Sequence, residues 1–294
     1  MQQQAARFFK RKPWDMILLN GRFLLCLLMA ILSGSLAAQP HAREKAGLEL
    51  SLGYGFIARQ DLIFSPFLHQ AGSPLNVGVA YHVHGIWTKV AAVRWSQYKP
   101  IVGSAYSFTD RSGQQVITQP HIFNLIDLRL AMGKMIYKRA QQTLKVGGLF
   151  TSDIDAMSFN YGFAGSSGYF GLFGLGLWSE GQHFFRGNQS IGFTFQLPVV
   201  AWVTRSPYLV NDDPYMKHNY SHNGFKTFIA YVGDGKLQTL NRFQKVTTSL
   251  QYTYFFRRNV GVGGKYELEF LHHTLPLLLL SYQHVLSFTT SIKF

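Results

Sequence analysis

The densest group of side chains able to do chemistry lies between residues 218 and 224, where His218, Ser221, His222 and Asn223 stand close together. A serine becomes a nucleophile when a histidine takes its proton, so the two must share a face within hydrogen-bond reach. On an extended chain Ser221 and Asn223 share a face, His222 points away, and His218 is three positions before the serine. Two readings follow: a hydrolytic site built on His218, Ser221 and Asn223, or a hydrophilic loop. The facing favours the loop. His82 and His84 sit two apart, so on a strand both point to one side. That spacing suits a metal pair, but no third ligand is near in sequence, and a polar interior accounts for both. His272 and His273 fall on opposite faces. Asp153 and Asp155 read first as loop residues. Neither a metal nor a cofactor is expected.

The elements that must hold these residues are strands. Leu48, Leu50, Leu52, Tyr54 and Phe56 alternate with Glu49, Ser51, Gly53 and Gly55. A period of two is the strand signature. Residues 58–74 read as a loop. Leu75 to Val83 alternate again, with His82 and His84 on the other face, and a third segment over 89–98 alternates less cleanly after a break at Gly85. Over 122–136, Ile126, Leu128, Leu130 and Met132 oppose Asp127, Arg129, Ala131 and Gly133. A charged residue on a lipid-facing strand costs about 2–4 kcal/mol at mid-bilayer, so Asp127 and Arg129 belong inside. Glu49, His82, His84 and Lys265 are the other interior candidates. The glycine-rich stretch 160–178 reads as strand, since no Lys-Ser/Thr follows to make a phosphate loop. Ile191 to Val203 is a strand through Pro198, which predicts a bulge or a rim position. Residues 144–150 read as a further strand, 204–223 form a long loop, and 225–232, 246–256, 260–271 and 282–294 complete a set of about twelve strands.

Composition supports a membrane setting. Aromatics are 15% and charged residues only 14% of the 294, against about a quarter charged in soluble domains. No apolar run is long enough for a spanning helix, and a closed barrel is the other structure that satisfies its backbone in lipid. The chain is long enough for one barrel of ten to fourteen strands. Arg7, Lys10, Arg11, Lys12 and Arg22 precede the apolar run 23–32, and Ser35-Leu36-Ala37 offers a small-x-small cleavage site. This is expected to be a cleaved signal peptide, 1–37, leaving a single domain, 38–294. The one cysteine, Cys26, lies within it, so the mature chain can form no disulfide. The formal charge of +14 has two explanations. Either it is carried by solvated loops and turns, or it marks a basic lumen or rim that meets lipid phosphates or an anionic solute.

The carboxyl-terminal strand places Tyr282, Leu286, Phe288, Ile292 and Phe294 on one face and Val285, Ser287, Thr289, Ser291 and Lys293 on the other. An edge that ends without a tail must be paired, and barrel closure pairs every edge. Here the chain resembles the outer-membrane β-barrel proteins of Gram-negative bacteria, whose last strand carries aromatic or apolar residues at alternate positions and ends on Phe. The resemblance implies an all-β transmembrane antiparallel barrel in the outer membrane. It also implies that Tyr282, Leu286, Phe288, Ile292 and Phe294 are read as an insertion signal by the outer-membrane assembly machinery. Its surroundings would be outer-membrane lipid.

Function is expected to be that of a small channel, or of a scaffold subunit, which implies partner subunits in an envelope complex. Outer-membrane phospholipases and lipid A deacylases resemble one another in a His-x-Ser-Asn strand pattern. The segment 218–223 departs from it by the three-residue spacing and by the intruding His222. A secreted soluble β-sandwich is a third reading, and it predicts polar outer faces. No nucleic-acid partner is expected.

Overall fold

The computed structural model describes residues 45–85, 87–101, 106–109, 113–161, 164–185, 188–206, 224–257 and 259–294. In chain order the strands are β1 (Lys45–Asp61), β2 (Ser65–His84), β3 (Trp87–Pro100), β4 (Tyr106–Thr109), β5 (Gln115–Thr118), β6 (His121–Lys138), β7 (Gln142–Tyr161) and β8 (Ala164–Phe184). They continue with β9 (Gln189–Arg205), β10 (Lys236–Thr239), β11 (Phe243–Arg257), β12 (Val260–His273) and β13 (Leu279–Lys293). One helix, α1, spans Gly224–Gly233. The signal-peptide expectation and residues His218, Ser221 and Asn223 lie outside the described residues.

Ten strands pair antiparallel, each with the next around a single sheet, and β8–β9 pairing closes it into a barrel. The terminal strand is a seam. β13 pairs with β12 on one side and with β1 on the other, from Gly47 opposite Lys293 to Asp61 opposite Leu279. The Phe294 amide then donates to the Ala46 carbonyl at 2.8 Å. The fold is one closed sheet, not the two facing sheets of a sandwich. Ten strands is the lower bound of the ten to fourteen expected, and short of twelve.

Two segments account for the difference. Residues 225–232 are helix, not strand; Phe225, Phe228, Ile229 and Val232 follow the i, i+3, i+4, i+7 spacing of one helical face. Residues 142–184 are only two strands, β7 and β8, joined across residues 162–163. With ten strands, β1 begins and β13 ends at one end of the barrel, here called the near end. The long connection after β9 falls at the opposite, far end, together with the β4–β5 hairpin. At the far end the strands extend beyond the apolar alternation. β1 runs to Asp61 and β2 begins at Ser65, so most of 58–74 is strand rather than loop.

Bulges set which side chains face inward. Leu175 pairs with Val200 but Gly176 with Pro198, so Val199 is the extra residue. The face therefore switches there. Ile191 and Phe193 point outward, while Ala201 and Val203 are buried inside, although all four have the same parity. Glycine is required at 176, since a Cβ there would lie 2.1 Å from the Leu197 carbonyl oxygen. β10 extends the β9 edge at Val200–Val203, beyond the point where β11 leaves it at Gln196. Trp202 donates its indole N–H to the Val232 carbonyl at 2.8 Å, which holds the end of α1 against the outside of β9.

The outside of the barrel is apolar. Leu52 is 55%, Leu175 58% and Leu286 64% exposed, and Leu50, Tyr54, Leu177, Leu250 and Phe288 join them in a continuous belt. A soluble monomer rarely exposes an apolar surface of this extent.

Candidate functional site in the barrel interior

The interior of the barrel is where charge collects. Eight carboxylates are buried there: Glu49, Asp61, Asp127, Asp153, Asp155, Glu180, Glu267 and Glu269. Since the chain has only fourteen, the inside holds most of its acidic side chains. They are matched by Arg59, Arg94, Arg129, Lys145, Arg205, Lys245 and Lys265 in ion pairs. Among the described residues the lumen is thus close to neutral, and Lys89, Lys99 and Lys134 lie on the outside.

The largest group sits midway along the barrel. Glu267 on β12 accepts two hydrogen bonds from the Arg129 guanidinium, at 2.8 and 2.7 Å, and another from Arg94 on β3. Arg94 also donates to Asp127 at 2.6 Å and to Gln283 at 3.3 Å. Lys245 on β11 pairs with Asp153 on β7 and, at 3.2 Å, with Glu269. Arg94–Asp127 and Lys245–Glu269 join neighbouring strands, but three strands lie between β3 and β12 and two between β7 and β11, so the Arg94–Glu267 and Lys245–Asp153 bonds cross the lumen. Burying a charge is costly unless it is paired and hydrogen-bonded, which is why the groups meet across the interior.

Other levels are spanned as well. Toward the far end Arg59 pairs with Asp155 at 2.6 Å and Arg205 with Asp61 at 2.5 Å, each across the lumen. The same part of the lumen holds an apolar plug of Ile57, Phe64, Phe123, Phe159, Phe170 and Leu279. Phe64 and Phe159 stack at 4.9 Å. The Arg59 guanidinium lies 5.9 and 5.8 Å from the Phe123 and Phe170 ring centres, a cation–π contact that partly replaces the hydrogen bonds its Nε and Nη2 lack. Arg205 also donates to the Leu275 and Leu277 carbonyls, at 3.1 and 2.5 Å, tying the β12–β13 connection to β9. On the near side of the central group a cavity of about 50 Å³ remains, lined by Glu49, Ser51, Arg94, Arg129, Lys265 and Glu267 among others. That is room for water.

The six interior candidates are distributed unevenly. Asp127 and Arg129 belong to the central group. Lys265 stands beside it, 3.9 Å from Glu49 and 3.8 Å from Glu267, and the Gln251 amide donates to Glu49 at 2.7 Å. His82 and His84 lie apart, closer to the near end, with ring centres 6.0 Å apart and the Lys145 ammonium 3.4 Å from His84 Nδ1. Among the described residues no group of three or more His, Cys, Asp or Glu is arranged to hold a metal. Asp153 and Asp155 are interior strand residues of β7, not loop residues; both point inward at the level where Lys245 and Arg59 need carboxylates. Arg94 escapes a sequence reading because it is the single charge on the inward face of β3, while Lys245 lies on the polar inward face of β11 and Glu267 and Glu269 continue the inward face that Lys265 begins on β12. The parity of their neighbours is the signal that identifies them. At the carboxyl terminus Tyr282, Leu286, Phe288 and Phe294 are exposed on the outer face and Ile292 is half-buried.

No protein-family model matches the sequence, and neither does any curated protein. Solved structures do match. The outer membrane protease OmpT from Escherichia coli superposes with a TM-score of 0.52 at 8% identity, over 85% of this chain and 96% of that one. The translocator domain of autotransporter NalP from Neisseria meningitidis gives 0.38 at 9% identity, over 95% and 98%, and Neisserial surface protein A gives 0.35 at 8%, over 84% and 97%. The last two overlaps are too loose to carry an argument. The likeness to the protease is one of fold alone: this chain is a closed antiparallel β-barrel of the architecture found in a Gram-negative outer-membrane protein.

Proposed function

We propose that the protein is an integral outer-membrane barrel with a sealed lumen, which serves as a scaffold for an envelope complex rather than as a pore. The observation that carries this reading is the set of ion pairs across the lumen at several levels, together with the apolar plug. A selective channel needs sites weak enough for a solute to leave. Here the interior charges are already satisfied by one another. The exposed apolar belt supports the membrane setting, and the shared end at which β1 begins and β13 ends fits the even-stranded arrangement of such barrels, with that end in the periplasm. The surfaces left for partners are then the two ends, above all the far end with α1, β10 and the β4–β5 hairpin. Gentle detergent extraction from native membranes, followed by cross-linking and size analysis, tests the scaffold. The reading predicts a defined assembly larger than one barrel. A barrel recovered alone, under conditions that keep other envelope complexes intact, contradicts it.

A further inference from the structure

The interior uses nearly all the described carboxylates, and this leaves the outer face at the near end with basic residues alone. On β3, Thr88 and Arg94 point inward, so Trp87 and Lys89 point outward. On β6, Asp127, Arg129 and Ala131 point inward, so Met132 and Lys134 point outward. Register places Trp87 opposite Lys134 and Lys89 opposite Met132, so the two lysines stand diagonally across one strand pair. Val83 flanks Lys89 on the other side, and Val146 flanks Lys134. Trp87 is 47% and Met132 52% exposed. Among the described residues neither lysine has an acidic partner, and the one carboxylate outside the lumen, Asp234, lies beyond the far end of the barrel wall.

The surface next to this pair is notched. Gly148 on β7 faces outward between Met132 and Leu177, and a Cβ added there meets nothing within 4 Å. Two cations and an indole at a strand rim, above a shallow apolar groove, match one kind of molecule: a negative phosphate head joined to an acyl chain. Lysine stems can lie along the apolar belt while their ammonium groups reach the headgroup level. Tryptophan favours the same boundary.

We propose that Lys89, Lys134 and Trp87 form a headgroup site for an anionic glycerophospholipid, with one acyl chain seated over Gly148. The proposal rests on the membrane reading given above. It accounts for part of the surplus positive charge, which the neutral lumen does not. It also makes the barrel select its annular lipid on one flank.

The test uses the full chain refolded into phosphatidylcholine vesicles carrying spin-labelled phosphatidylglycerol or spin-labelled phosphatidylcholine. Electron paramagnetic resonance reads the motionally restricted fraction of each. At low salt the expected preference for phosphatidylglycerol is about five-fold per lysine. K89Q/K134Q brings it to parity. K99Q, which removes an outward lysine elsewhere on β3, leaves it unchanged. One-molar salt on the unaltered chain must also abolish it, a check that needs no variant to fold. Gly148→Ile lowers retention of the restricted lipid without altering charge. Equal retention of the two lipids by an inserted chain overturns the site and leaves the membrane reading standing, as does a preference that survives in K89Q/K134Q. A chain that stays in solution and never enters the vesicles overturns both.

Discussion

The two faces of β13 make opposite demands on the same fifteen residues. Inward, Ser281, Gln283, Ser287 and Thr289 are buried, and Gln283 donates to the Tyr98 hydroxyl across the lumen at 2.5 Å. Outward, Tyr282, Leu286 and Phe288 are 41–64% exposed. In a soluble protein the order would be reversed. On the membrane reading proposed above, the two faces meet different surroundings: hydrocarbon around the apolar outside, and a set of paired charges within. Each face can therefore be broken separately.

The inner face should be the more sensitive. Glu267→Gln deprives two buried guanidiniums of a shared carboxylate, and unpairing a buried charge typically costs about 3–5 kcal/mol. Urea unfolding in lipid vesicles should show that loss. The outer face comes next. Leu286→Arg should cost about 2–4 kcal/mol in a bilayer, less toward its edge, and far less in detergent, which can rearrange around a charge. A similar cost in both media would mean that hydrocarbon does not surround this face. Gly176→Ala tests the seam between faces at the β9 bulge, with a loss of about 1–3 kcal/mol from overpacking against Leu197. The smallest effect belongs to Tyr266→Phe. It removes the outer-face hydrogen bond to His284, 2.6 Å long, and in a membrane such bonds average about 0.6 kcal/mol.

The same contrast explains what could be read in advance. The alternation of Leu48–Phe56 and of Tyr282–Phe294 identifies strands because one face is uniformly apolar. Where the interior is itself apolar, as at Ile57 and Phe123, both faces look alike and the strand ends blur. Hence β1 and β2 extend further than their patterns suggest, through Arg59, Asp61 and His69. Asp127 and Arg129 were legible because the cost of exposing them to lipid is large. Their partners were not. Arg94 and Glu267 are 173 residues apart, and only barrel closure brings them together. Val199 shows the other limit: one bulged residue turns Ala201 and Val203 inward, and no local feature except Pro198 announces it.

The central claim is that these cross-lumen bonds seal the barrel. Single-channel recording in planar bilayers tests it most directly, with insertion verified by heat-modifiable migration of the same preparation. The sealed barrel predicts a flat baseline for the unaltered chain, and a baseline that stays flat when Arg94 and Glu267 are both replaced by serine, because the apolar plug and the Arg59 and Arg205 pairs remain. Regular conductance steps from the unaltered chain would contradict it.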